Sequence, residues 1–237
     1  MNHDCNSKSQ DRGHFNFGWL DTYHSFSFGD YHDSKHMGFR TLRVINEDVI
    51  EPGQGFPRHG HRDMEIITYI LEGELEHRDS LGNIGKIQTG EFQTMTAGTG
   101  IRHSEYNASQ KQPCHLLQFW VLPEQKNLAP SYAQMKIEQK ESMQLVVKPI
   151  SLVESKAQKQ NLTLNQDVKL YLGKMAKSEK QSLVLSANRY AWVQMIRGSL
   201  LINGNQVEPG DGAAISSESQ LLFECIAPCE FLVFDLN

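Results

Sequence analysis

Ile66-Ile67-Thr68-Tyr69-Ile70-Leu71 is a short apolar run that stops at Glu72-Gly73, and its reading decides the fold. β-branched and aromatic residues bounded by a charge and a glycine read as a strand. Glu74-Leu75-Glu76-His77-Arg78 then alternates in polarity, ahead of the turn residues Asp79-Ser80-Leu81-Gly82-Asn83. Residues 115–122 form another such run, closed by Pro123, and no long segment of 3.6-residue period occurs. Residues 131–143 read as a short helix or an edge. Many short strands at this spacing predict an all-β sandwich or barrel.

The second half repeats the style. Tyr190-Ala191-Trp192-Val193-Gln194-Met195-Ile196-Arg197-Gly198 echoes 65–73, and Ser199-Leu200-Leu201-Ile202-Asn203-Gly204-Asn205 makes a hairpin with an Asn-Gly turn. Glu208-Pro209-Gly210-Asp211-Gly212 parallels Gln88-Thr89-Gly90-Glu91-Phe92. The consistent order of these echoes predicts an internal duplication. The polar stretch after Pro123 is the natural joint, which gives domains over 1–123 and 140–237 with a linker over 124–139.

The bulk numbers exclude several classes. Of 237 residues, 23 are basic and 28 acidic, for a net charge of −5. No Lys/Arg run forms a patch, so nucleic acid is disfavoured as a direct ligand. No apolar stretch approaches the roughly 20 residues of a membrane helix, and the polar start, residues 1–8, lacks the apolar core of a signal peptide. Four scattered cysteines (Cys5, Cys114, Cys225, Cys229) complete no metal knuckle; Cys225 and Cys229 make a C-x-x-x-C pair at most. Free thiols in a reducing cytoplasm follow.

The histidines are asymmetric. All ten lie at or before His115. If the halves share a fold, only the first can hold a His-ligated metal. His59-Gly60-His61 leads into the apolar strand, and His103-Ser104-Glu105 follows about 40 residues later. In extended chain, residues two apart share a face, so each pair can converge on one ion. Three imidazoles and a carboxylate suit first-row transition metals. Glu65, in phase with His59 and His61, is the rival carboxylate or a support for a His ring. His14, His24, His32 and His36 have no regular ligand spacing and read as packing or capping residues. His77 and His115 read as structural.

The sequence resembles the pirin family of the cupin superfamily, most closely the bacterial pirin-like quercetin 2,3-dioxygenases. The resemblance is carried by Arg12-Gly13-His14, residues 18–28 and 42–46, His59-Gly60-His61-Arg62-Asp63-Met64-Glu65, Leu71-Glu72-Gly73, residues 77–83 and residues 96–105. It is dense from 12 to about 123 and thin beyond. It implies a bicupin, two antiparallel barrels in tandem, with the ion bound by His59, His61, His103 and Glu105 and a metal-free second barrel. Placing Gly198 against Gly73 puts Val184 and Ser186 at the positions of His59 and His61. Gly60 departs from the family's usual Pro, and Gly98 from the general cupin pattern.

The implied activity is cleavage of flavonols such as quercetin with O2, releasing carbon monoxide. Glu105 would act as the base that takes the 3-hydroxyl proton. Fe2+ is the expected metal, with Mn2+, Co2+, Ni2+, Cu2+ and Zn2+ as alternatives; a four-ligand octahedral set leaves two adjacent positions for substrate and O2. A monomer with neither membrane nor direct nucleic-acid partner is expected. The other reading is a metal- or redox-dependent regulator of protein partners, since some pirins are co-regulators.

Overall fold

The computed structural model describes residues 5–153 and 161–237, with side chains from Ser7 onward; the polar start at 1–4 and the Cys5 thiol lie outside the described residues. The chain opens with β1 (Cys5–Ser7), β2 (Gly13–Asn16), β3 (Leu20–His24), β4 (Leu42–Ile50), β5 (Gly55–His61) and β6 (Glu65–Glu72). There follow β7 (Glu74–Asp79), β8 (Ile84–Gln88), β9 (Glu91–Thr96), β10 (Ile101–Asn107), β11 (Cys114–Val121) and β12 (Ser131–Lys136). The later strands are β13 (Met143–Pro149), β14 (Leu162–Leu164), β15 (Val168–Met175) and β16 (Lys180–Val184). The chain ends with β17 (Tyr190–Ile202), β18 (Asn205–Val207), β19 (Gly212–Ile215) and β20 (Gln220–Leu236). No described helix is long and apolar enough to cross a membrane.

Contacts divide the chain into two units, Gly13–Ile137 with Leu162–Gln166, and the remainder. In the first unit, one antiparallel sheet runs in the order β12-β9-β6-β11-β4-β3-β2 and a smaller one β5-β10-β7-β8. Among the described residues, buried apolar side chains gather in clusters in the interior. Leu20, Ile50, Ile70, Leu75, Ile87, Cys114 and Leu116 form one, and Ile66, Met95, Ala97 and Ile101 another. Residues 131–143, read as helix or edge, contain the edge strand β12, which pairs with β9 (Tyr132↔Met95). The stretch read as a linker, 124–139, is thus partly built into this sheet.

In the second unit the path is β1-β19-β17-β20-β15-β13, with β16 on β20 and β18 on β17. Its core gathers Leu200, Phe223, Phe231 and Val233. β1, from the start of the chain, belongs here: Asn6 pairs with Ala213. Lys8 donates to Asp211 at 2.8 Å, as does the Ser9 backbone N–H. A strand laid against β19 covers backbone groups that an open edge would expose.

The duplication is legible in backbone geometry. Gly73 has φ +80°, and a Cβ there would sit 2.6 Å from the Pro113 carbonyl oxygen and 3.1 Å from Cys114 Cα. Gly198 has φ +78°, with Pro228 oxygen at 2.1 Å and Cys229 Cα at 2.8 Å. Only glycine combines left-handed φ with so close a neighbouring strand. The Asn203-Gly204 turn joins paired Ile202 and Asn205 with both φ values positive, 47° and 82°, as a two-residue hairpin demands. Val184 is 72% exposed on β16.

Candidate metal centre

β10 lies between β5 and β7, and its alternation sets the site. Ile101, His103, Glu105 and Asn107 are buried, while Arg102 and Tyr106 face out. Antiparallel register brings His59 opposite His103 and His61 opposite Ile101. A register shift on the β5 side between His103 and Glu105 sets Glu105 opposite Phe56. Pro57, which has no N–H to pair, is accommodated because β5 is the sheet's edge.

The three rings converge. Centroids lie 4.4 Å apart for His59 and His103, and 4.8 Å apart both for His59 with His61 and for His61 with His103. Their donor atoms all fall within 4.8 Å of one another. A second such group is His77, His103 and Glu105. Glu105 thus groups with His77 and His103, and not in one set with His59 and His61.

The hydrogen-bond network assigns the ring protons. Carbonyls and carboxylates only accept, so His59 Nδ1–H donates to the Pro57 oxygen at 2.8 Å, and His77 Nε2–H to Asp79 at 3.3 Å. With His77 neutral, its Nδ1 is an acceptor, and His103 Nδ1–H donates to it at 3.4 Å. In that tautomer His59 Nε2 and His103 Nε2 are both bare lone pairs facing each other at 3.0 Å. Two lone pairs so close repel unless a cation lies between them. Adjacent nitrogens at about 2.1 Å from one octahedral ion are also about 3.0 Å apart. Burial, and then the neighbouring imidazoles, push His61 down to about 4 and His103 to about 3, so both are neutral at pH 7. The donor set fits a divalent first-row cation.

Glu105 is buried and accepts from Gln118 Nε2 at 3.1 Å; Gln118 in turn accepts from Trp120 Nε1 at 3.0 Å. A cavity of about 400 Å³ opens beside them, lined by Phe28, Phe56, His59, His61, Glu105 and Trp120 among others.

Glu65 lies elsewhere. Its carboxyl, wholly buried, accepts from Thr96 at 3.0 Å and from the Asn165 N–H at 3.1 Å. Among the described residues it bonds no His ring, contrary to the sequence reading. The phase argument fails because Asp63, with φ +49°, interrupts the extended chain between β5 and β6. His77, read as merely structural, touches the cluster. Its only sequence signal was its i, i+2 spacing to Asp79. His14 bonds Asp21 and stacks on Tyr23, His36 bonds Asp33, and His115 bonds Glu47, all as packing residues. His32 is exposed, and His24 is buried beside Thr22. Cys114, Cys225 and Cys229 are free thiols.

Comparison with known proteins gives the same frame. The Pirin family profile matches residues 6–121, and the quercetinase C-terminal cupin domain profile matches 152–236. A quercetin 2,3-dioxygenase of Escherichia coli K12 is 45% identical over 229 residues, 97% of this chain and 96% of that protein. A pirin-like protein of Caulobacter vibrioides is 33% identical over 92% of this chain and 93% of its own. The crystal structure of the bacterial pirin YhhW from Escherichia coli in complex with nickel(II) superposes with a TM-score of 0.92 at 45% identity, covering 98% of each chain. With a Pirin domain followed by a quercetinase-type cupin domain, and a relative of this identity along nearly its whole length, the chain belongs to the bacterial pirins of the cupin superfamily.

Proposed function

We propose that this protein is a metal-dependent dioxygenase that cleaves flavonols such as quercetin with O2 and releases carbon monoxide. The ion is divalent, Fe2+ in the cell, and His59, His61, His103 and Glu105 hold it. The observation that carries the reading is the approach of His59 Nε2 and His103 Nε2 to 3.0 Å, with His61 beside them. The bound ion would acidify the flavonol 3-hydroxyl and bring substrate and O2 together.

The chain's own groups do the rest. Glu105, aligned by Gln118 Nε2, takes the 3-hydroxyl proton onto a carboxylate oxygen. Phe28, Phe56 and Trp120 form apolar walls that orient flat rings and keep water from the electron-rich enolate. Ring opening of that enolate by O2 conserves atoms: both oxygen atoms enter the product, and one ring carbon leaves as carbon monoxide.

The test is loss of quercetin's visible absorption by metal-loaded protein in air, with carbon monoxide trapped and quantified. Turnover that stops without O2, and that falls at least 100-fold in Glu105→Gln, supports the proposal. Consumption of quercetin under anaerobic conditions, or none with Fe, Mn, Co, Ni or Cu, removes it.

A further inference from the structure

A second chamber of about 190 Å³ adjoins the one at the histidines, and the two share Phe28, Asn46, Asp48 and Phe56 as walls. Phe15, Phe17 and Leu20 complete its apolar lining. Thr22, His24, Asp30, Asn46 and Asp48 interrupt that lining with polar groups, and His24 Nδ1 is buried there without a hydrogen-bond partner among the described residues. Asp48 Oδ1 and Asn46 Oδ1 are likewise buried and have no hydrogen-bond partner among the described residues. They sit two residues apart on β4 and so share a face. Asp48 is held on its other side by the Thr22 hydroxyl, which lies 2.9 Å from His24 Nε2. An unsatisfied buried acceptor costs roughly 1–3 kcal/mol, so two side by side in a mostly apolar chamber call for a ligand that brings donors.

The unpartnered atoms of Asp48 and Asn46 are acceptors, and four of the lining residues are phenylalanines. The complementary chemistry is an aromatic ring bearing hydroxyl groups. We infer that this annex is a specificity subsite for the pendant phenolic ring of a substrate bound at the histidines, with Asp48 and Asn46 accepting hydrogen bonds from its hydroxyls. The inference rests on the flavonol reading above and deepens it: the chain selects flavonols hydroxylated on the pendant ring. Burial pushes the Asp48 carboxyl up to about 7, so near neutrality it stays available as a protonated or ionised partner to a phenol.

The test compares two probes on metal-loaded, oxygen-free protein by the shift of flavonol absorption: quercetin, which carries two hydroxyls on the pendant ring, and the flavonol whose pendant ring is unsubstituted. The wild type is expected to bind quercetin at least tenfold more tightly, since a site built to hydrogen-bond a hydroxyl rejects analogues that lack it. Asp48→Leu and Asn46→Leu, made separately and checked by melting, should each narrow that preference to about twofold or less, chiefly by weakening quercetin. Asp48→Asn, which keeps a polar atom there, should hold part of it. Equal binding of the two flavonols by wild type overturns the subsite and leaves the metal reading intact. An unchanged preference in every folded variant does the same. Binding of neither flavonol overturns both readings together.

Discussion

The Nδ1 atoms of His77 and His103 lie 3.4 Å apart, both rings out of contact with solvent. His77 is itself tied to Asp79. Burial acts to raise the Asp79 carboxyl, but hydrogen bonds from Asn83, His77 and Leu81 hold it below the usual range. Asp79–His77–His103 is therefore a chain in which an ionised carboxylate dictates which nitrogen of His103 is bare. Such partners of a ligating imidazole are worth about 10–100-fold in metal affinity. Asp79→Leu should weaken binding of Ni2+ or Fe2+ by that factor, read by competition with a chelator. Affinity unchanged within twofold would show that His103 needs no such support.

Glu65 supplies the opposite expectation. Its carboxyl, raised by burial against its hydrogen bonds from Asn165 and Thr96, ties those two residues into the fold. Glu65→Leu should cost about 1–3 kcal/mol by stranding those donors, while metal content per chain stays at the wild-type value. Loss of metal in a variant whose melting is otherwise intact would return Glu65 to the ligand set.

Two glycines on β5 should respond with opposite sign. A Cβ on Gly55 would lie 2.2 Å from the Glu105 carbonyl oxygen and 2.5 Å from Tyr106 Cα, so Gly55→Ala must push β5 off β10. Melting should fall by an amount equivalent to about 1–3 kcal/mol, and metal affinity with it, because His59 and His103 sit on those two strands. A Cβ on Gly60 meets nothing nearer than 3.6 Å, and its φ is not left-handed. Gly60→Ala should stabilise by about 0.4–1 kcal/mol through the unfolded chain.

Asp48 gives a pH dependence. Its carboxyl rises from 3.8 to about 7, through burial first, opposed by Thr22 and His115 and aided by the charges of Glu105 and Glu47. The folded state therefore holds this proton more tightly than the unfolded chain. Stability is undiminished below about pH 4 and declines as pH rises toward 7, by roughly 4 kcal/mol if the whole shift is expressed. Asp48→Asn removes the titration. The melting difference between variant and wild type should open in the variant's favour across that window and stay constant above it. A difference independent of pH would mean that Asp48 folds with an ordinary affinity for its proton.

The residue pattern already contained the β class, the duplication and the candidate donors. Strand alternation is a local rule, so His59 with His61, and His103 with Glu105, could be paired by counting alone. The limits of counting lie where geometry is not local. Phase carried Glu65 onto the wrong face because one left-handed residue, Asp63, breaks the extended chain. β12 was indistinct because an edge strand buries little and shows weak periodicity.

What the amino-acid order determined by itself is which side chains share a face within each strand, since that depends only on the two-residue repeat of extended backbone. What the tertiary structure alone decided is which faces meet. The register of β10 against β5 and β7, with its shift beside His103, brings His59 and His77 to opposite edges of one imidazole. The packing of β3 and β4 leaves Asp48 and Asn46 at the wall of the same chamber as the histidines. Those are contacts between residues far apart in the chain, set by hydrogen-bond register and packing, and no local periodicity encodes them.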